Sequence, residues 1–148
     1  MGCRDLNKGL EAIEKLNAIG LNNVKLLQID VCNQESVDAA IVELGKRTEA
    51  LDVLIKKAGN SCGDLTASTT SVDRFKQLYE IKVFGVVQVT QAFIDLLKNS
   101  AEPRIVNVSS GLGSLTLASD PTNIYYHYKE AIYQSSKPAL NMYNIAMV

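Results

Sequence analysis

The sequence has only three cysteines, Cys3, Cys32 and Cys62, and none forms a C-x₂-C pair. That excludes a disulfide framework and a thiolate zinc site, and makes the reducing cytoplasm the default location. It also lacks an excess of charge of either sign: 15 Lys+Arg stand against 16 Asp+Glu, a net charge of −1. No electrostatic footprint for nucleic acid or an anionic membrane surface follows from that balance. Long hydrophobic runs are missing too. The most apolar uncharged stretch, Val83 to Ile94, contains two glutamines and falls well short of the ~20 residues that span a bilayer. The N-terminus is charged almost at once, at Arg4 and Asp5, so no signal-peptide core is present, and Leu6 stands where a myristoylation signal wants Ser or Thr.

What remains is ordinary for a globular domain: 148 residues, 47% hydrophobic and 21% charged. A single domain is expected, large enough to form a core without metal or cross-links. Leu6, Leu10, Ile13 and Leu16 recur at helical spacing, and Gly20 stands where a left-handed residue would end that helix. Val24 to Ile29 reads as a short buried strand. Asn33 is a candidate N-cap for a second helix carrying Val37, Ala40, Ile41 and Leu44 on one face, with Lys46 and Arg47 in its last turn.

Leu51 to Ile55 is again strand-like and leads to a loop at Ala58-Gly59. After Thr70, Val72, Phe75, Tyr79, Val83, Val86, Thr90, Phe93 and Leu97 keep one helical face for about seven turns. Arg104 to Val108 reads as a third strand, and Ser109 to Asp120 as a Ser/Gly-rich loop in which Gly111-Leu112-Gly113 is a turn. The tail from about Glu130 is helical, with Pro138 expected to kink or interrupt it near Gln134.

Apolar strands alternating with helices predict an α/β fold with a parallel sheet covered on both faces. Ligands on such sheets bind beyond the carboxyl ends of the strands, here Asp30-Val31, Ala58-Gly59 and Ser109-Ser110. Tyr133 and Lys137 share one helical face, so a phenol and an ammonium can converge. A cation beside a phenol favours the phenolate, which suits proton donation and return, and Ser110 could hold a carbonyl oxygen. On spacing alone, Y-x-x-x-K is more often a solvated helix face.

These motifs, in this order, resemble the short-chain dehydrogenase/reductases. Asp30-Val31 resembles the family's acidic strand end at the adenine, and Val53 to Gly59 is similar to its Asn-Asn-Ala-Gly strand and loop. Ile105 to Ser110 resembles its serine strand, and Tyr133 with Lys137 its active-site pair. Arg4-Asp5 resembles the segment of the carbonyl-reductase-like branch in which an arginine holds the ribose phosphate of NADP.

The resemblance implies a Rossmann-like sheet and a catalytic set of Ser110, Tyr133 and Lys137. It further implies NADP contacts by Arg4, Asp30, Val31, Ala58, Gly59, Tyr133 and Lys137, and a small ketone, aldehyde or alcohol as substrate. It also implies pairing of copies through the long helices. Gly111 to Tyr128 is expected to be an inserted loop over the site, with Tyr125, Tyr126, His127 and Tyr128 near the substrate entrance; His127 reads equally as a solvated loop residue.

The pattern departs from the family in two ways. The family's glycine-rich phosphate turn is absent, which implies a single partial dinucleotide-binding-type domain cut at both ends and lacking the first two and the last strands. Weak or absent NADP binding and impaired catalysis are then expected. Lys56, Lys57 and Lys82 also stand where the family has asparagines. Because a buried unpaired lysine is costly, these positions are expected to be exposed or the site damaged, with Leu51 to Ile55 becoming an edge strand blunted by lysines. A rival reading is a non-catalytic α/β module that pairs through its long helices, and turnover of NADPH separates the two.

Overall fold

The computed structural model describes residues 1–59 and 66–147, so Cys62 lies outside the described residues. The chain forms two compact units, one comprising Met1–Asp52 and Gln88–Pro103, the other Val53–Val87 and the chain from Arg104 onward.

In the first unit, strand β1 (Gly2–Cys3) pairs in parallel with β2 (Leu27–Gln28). A strand of two residues carries no periodicity, and β1 was not foreseen. Between them lies helix α1 (Leu6–Ala18), started by the Asp5 carboxylate, which accepts the N–H groups of Asn7 and Lys8 at 2.9 and 3.2 Å. It ends at Gly20, whose φ of +87° lets the Leu21 N–H turn back to the Leu16 carbonyl at 3.0 Å. The expected apolar stripe is only half covered, since Leu6 and Leu10 are exposed.

Helix α2 (Gln34–Gly45) is capped by Asn33 as predicted, and Val37 and Ala40 are buried. Beyond β2, the Asp30 carboxylate accepts the Cys32 N–H at 3.0 Å, while the Asp30 N–H is held by Ser36 Oγ at 2.9 Å.

In the second unit, β3 (Val53–Lys56) and β4 (Arg104–Asn107) pair in parallel, Lys56 opposite Asn107, and the Val108 N–H extends the ladder to the Lys56 carbonyl. The long periodic stretch forms one helical run: α3 (Val72–Tyr79), a wide π turn (Glu80–Phe84) and α4 (Gly85–Lys98). The π turn was not foreseen. One extra residue in a turn leaves the apolar spacing nearly intact while re-aiming the side chains within it, and such turns recur at functional sites. Val89, Phe93 and Leu97 of α4 are buried, and that part of the helix belongs to the first unit.

The stretch read as a loop after β4 is partly helical: a 3₁₀ turn at Gly111–Gly113, α5 (Leu115–Ser119) capped by Ser114, and a 3₁₀ turn at Ile124–His127 capped by Asn123. Three local caps, by Ser110, Ser114 and Asn123, suffice for such short pieces. Helix α6 (Ala131–Ile145) continues through Pro138 as one element and is not broken there. Ile132 and Leu140 are buried on either side of Pro138, which cannot donate its own ladder hydrogen bond.

Candidate active site

Ile132, Ser136 and Leu140 form the buried stripe of α6. Tyr133 and Lys137 each follow a stripe residue by one position, about 100° around the helix, and therefore lie at the margin where core meets solvent. The core pair Leu78 and Ile132 packs against Phe75, Tyr79 and the Tyr133 ring. Lys137 Nζ donates to the Val108 carbonyl at 2.7 Å, tying α6 to the end of β4. Gly113 lets the 3₁₀ turn approach α6 closely, because a Cβ there would lie 2.6 Å from that of Lys137.

Around these groups opens a cavity of about 400 Å³, bordered by Ala58 and Gly59 after β3, Lys82 of the π turn, Ser109 after β4, and Tyr133 and Lys137 of α6. Both ammoniums face the phenol ring, Lys82 Nζ at 4.9 Å from its centroid and Lys137 Nζ at 5.4 Å. Burial first, and the nearby Lys82 charge second, hold the Lys137 amine below its ordinary range. Burial also pushes the Lys56 amine down from 10.5 to about 8.

Of the residues predicted from sequence, Tyr133, Lys137, Ala58 and Gly59 come together in this cavity. Ser110 does not border it. Its hydroxyl accepts the Leu112 N–H at 3.2 Å, whereas the neighbouring Ser109 borders the cavity and donates to Asn141 Oδ1 at 2.7 Å. Arg4, Asp30 and Val31 belong to the first unit, where Arg4 is exposed and the Asp30 carboxylate caps its own turn.

Tyr125, Tyr126, His127 and Tyr128 do not border the cavity either. They pack edge-on in pairs, and the Tyr125 ring lies over Gly111.

Of the two alternatives expected for the three lysines, exposure or a damaged site, exposure is found at Lys57 alone. Lys56 and Lys82 are 8% and 7% exposed. A four-carbon stem can be buried along apolar surface while the ammonium reaches the cavity. Glu130, at the N-terminal edge of α6, also borders the cavity and was missed, because no spacing pattern links it to Tyr133. Among the described residues no group of three His, Cys, Asp or Glu could hold a metal ion, and no helix is long and apolar enough to cross a membrane.

The short chain dehydrogenase profile matches residues 3–147. A short-chain dehydrogenase of Penicillium roqueforti is 35% identical over 147 residues, covering 96% of this chain and 58% of that protein. A short-chain dehydrogenase/reductase of Aspergillus fumigatus is 31% identical over 142 residues, 93% of this chain and 52% of that protein. The chain thus spans little more than half the length of these relatives.

Among solved structures, NADPH-bound carbonyl reductase from chicken fatty liver superposes with a TM-score of 0.84 at 24% identity, covering 99% of this chain and 60% of that one. A gluconate 5-dehydrogenase from Burkholderia cenocepacia, in complex with NADP and tartrate, gives 0.80 at 22% identity, covering 99% and 53%. The parallel strands with their intervening helices are accordingly Rossmann-like, and the chain belongs to the short-chain dehydrogenase/reductase family of oxidoreductases.

Proposed function

We propose that this protein is an NADP-dependent reductase of small ketones or aldehydes, working through Tyr133, Lys137 and Ser110, with reduced efficiency in the present length of chain. The observation that carries the reading is the convergence of Tyr133 and Lys137 at the mouth of one cavity, with Lys137 anchored to Val108.

A nicotinamide riboside suits the residues there. Ala58 and Gly59 project little or nothing into the cavity, and the Lys137 ammonium is a donor at its wall for ribose hydroxyls. The cofactors bound to the chicken and Burkholderia enzymes support the same assignment. Arg4, Asp30 and Val31 are assigned to the adenosine end on the family resemblance, Arg4 facing the ribose phosphate that distinguishes NADP.

The bound cofactor supplies the hydride that the carbonyl carbon receives. Tyr133 gives its phenolic proton to the carbonyl oxygen, and Lys137 stabilises the phenolate left behind. Ser110, whose oxygen accepts the Leu112 N–H, keeps its own hydroxyl proton to donate to the substrate oxygen and so orients the carbonyl. The reverse reaction oxidises an alcohol with the same groups. The 148 residues by themselves offer no glycine-rich turn to a pyrophosphate, and weak binding of NADPH by this length of chain is part of the proposal. The protein acts in the cytoplasm.

Transfer of deuterium from labelled NADPH to a ketone, read by mass spectrometry, tests the reading. Label should appear in the alcohol with this chain and vanish with Tyr133→Phe. Equal labelling by both proteins would overturn it.

A further inference from the structure

Among the described residues the cavity wall carries four lysines, Lys56, Lys57, Lys82 and Lys137, and one carboxylate, Glu130. Proton transfer at Tyr133 requires a single cation, and Lys137 fills that role. Lys82 arrives separately, from the π turn. Its Nζ lies 3.5 Å from where a Cβ on Gly59 would be and 4.9 Å from the Tyr133 ring centroid, so its charge is delivered into the same space. With Lys82 Nζ at 4.9 Å and Lys137 Nζ at 5.4 Å from the same ring centroid the two cations repel, and the Lys82 charge adds to burial in lowering the Lys137 amine. A bound anion would relieve that repulsion.

We infer that the cavity selects a carbonyl compound bearing a carboxylate, an oxo acid, with Lys82 as the principal contact for the carboxylate while the carbonyl faces Tyr133. This rests on the reductase reading given above. At about 400 Å³ the cavity is far larger than an inorganic ion and has room for an organic acid. The carboxylate itself is unchanged by the reaction; only the carbonyl carbon is reduced.

The test is a set of binding titrations on the whole chain, using levulinate, its neutral methyl ester and inorganic phosphate as probes, with NADPH titrated in parallel. Levulinate should bind about tenfold more tightly than the ester, the weight of one charge-assisted contact, and the preference should shrink in high salt. Lys82→Gln should abolish the preference. Lys57→Gln, at an exposed position that removal cannot unfold, should reduce it.

Ester binding equal to levulinate, phosphate binding as tight as levulinate, or no binding of either ketone would each overturn the inference. If it fails while NADPH still binds and Lys137→Met weakens that binding, the reductase reading stands. If NADPH binding is absent as well, both fall.

Discussion

Replacing Lys56 by Met should stabilise this protein at neutral pH, although it removes a side chain at the end of a paired strand. Lys56 is 8% exposed, and burial lowers its amine from 10.5 to about 8. At pH 7 the amine is still protonated in both the folded and unfolded chains, so the folded state bears the full cost of holding the cation. At ~1.4 kcal/mol per pH unit, that displacement has a ceiling of about 3 kcal/mol. Solvent entering the open cavity reduces it to about 1–2 kcal/mol.

Between pH 8 and 10.5 the folded chain has released the proton and the unfolded chain retains it, so the unfolded state binds more protons and stability rises with pH. Above that window both forms are neutral and the cost is gone. Urea denaturation of wild type and Lys56→Met across this range should give a gain of about 1–2 kcal/mol at pH 7 that fades toward zero near pH 10.5. A Met variant that is less stable at pH 7, or whose advantage does not change with pH, would refute the reasoning.

Ser110→Ala should lower ketone reduction by about tenfold to a hundredfold with little change in NADPH affinity, and Ser109→Ala should change the rate far less. The opposite ranking in steady-state kinetics would move the orienting role to the serine that borders the cavity. Gly113→Ala forces a Cβ against that of Lys137 and should destabilise the fold by about 1–3 kcal/mol in urea titrations. Replacing Lys56 and Lys57 together by Asn should increase light scattering on concentration if the lysines also blunt the β3 edge, and an unchanged signal would dismiss that role.

The sequence made the repeating elements legible because burial imposes a period. The α2 stripe, with Val37 and Ala40 buried, and the face of Val86, Thr90, Phe93 and Leu97 are read directly from spacing, whereas Val72 at the start of that predicted face is 69% exposed. Elements without a period were not legible. β1 is two residues long, and the pieces between Gly111 and His127 rest on single side-chain caps.

The site was half legible. Tyr133 and Lys137 stand one helical turn apart, so sequence distance reports spatial distance. Glu130 reaches the same cavity only through tertiary packing, whereas Lys82, which the family resemblance places near Lys137, comes there through a π turn that leaves almost no trace in the apolar pattern. Lys56 and Lys82 are buried despite the cost of enclosing a cation because a lysine is an apolar stem with a charged tip, a division that residue type alone does not reveal.

The central claim is that Tyr133 and Lys137 form the nicotinamide end of a reductase site. A fluorescence titration of NADPH into the 148-residue chain and into Lys137→Met tests it most directly. The account predicts saturable binding weaker than micromolar for the wild type and a further loss of about tenfold or more for the variant. Submicromolar binding, no binding, or affinity indifferent to Lys137 would contradict it.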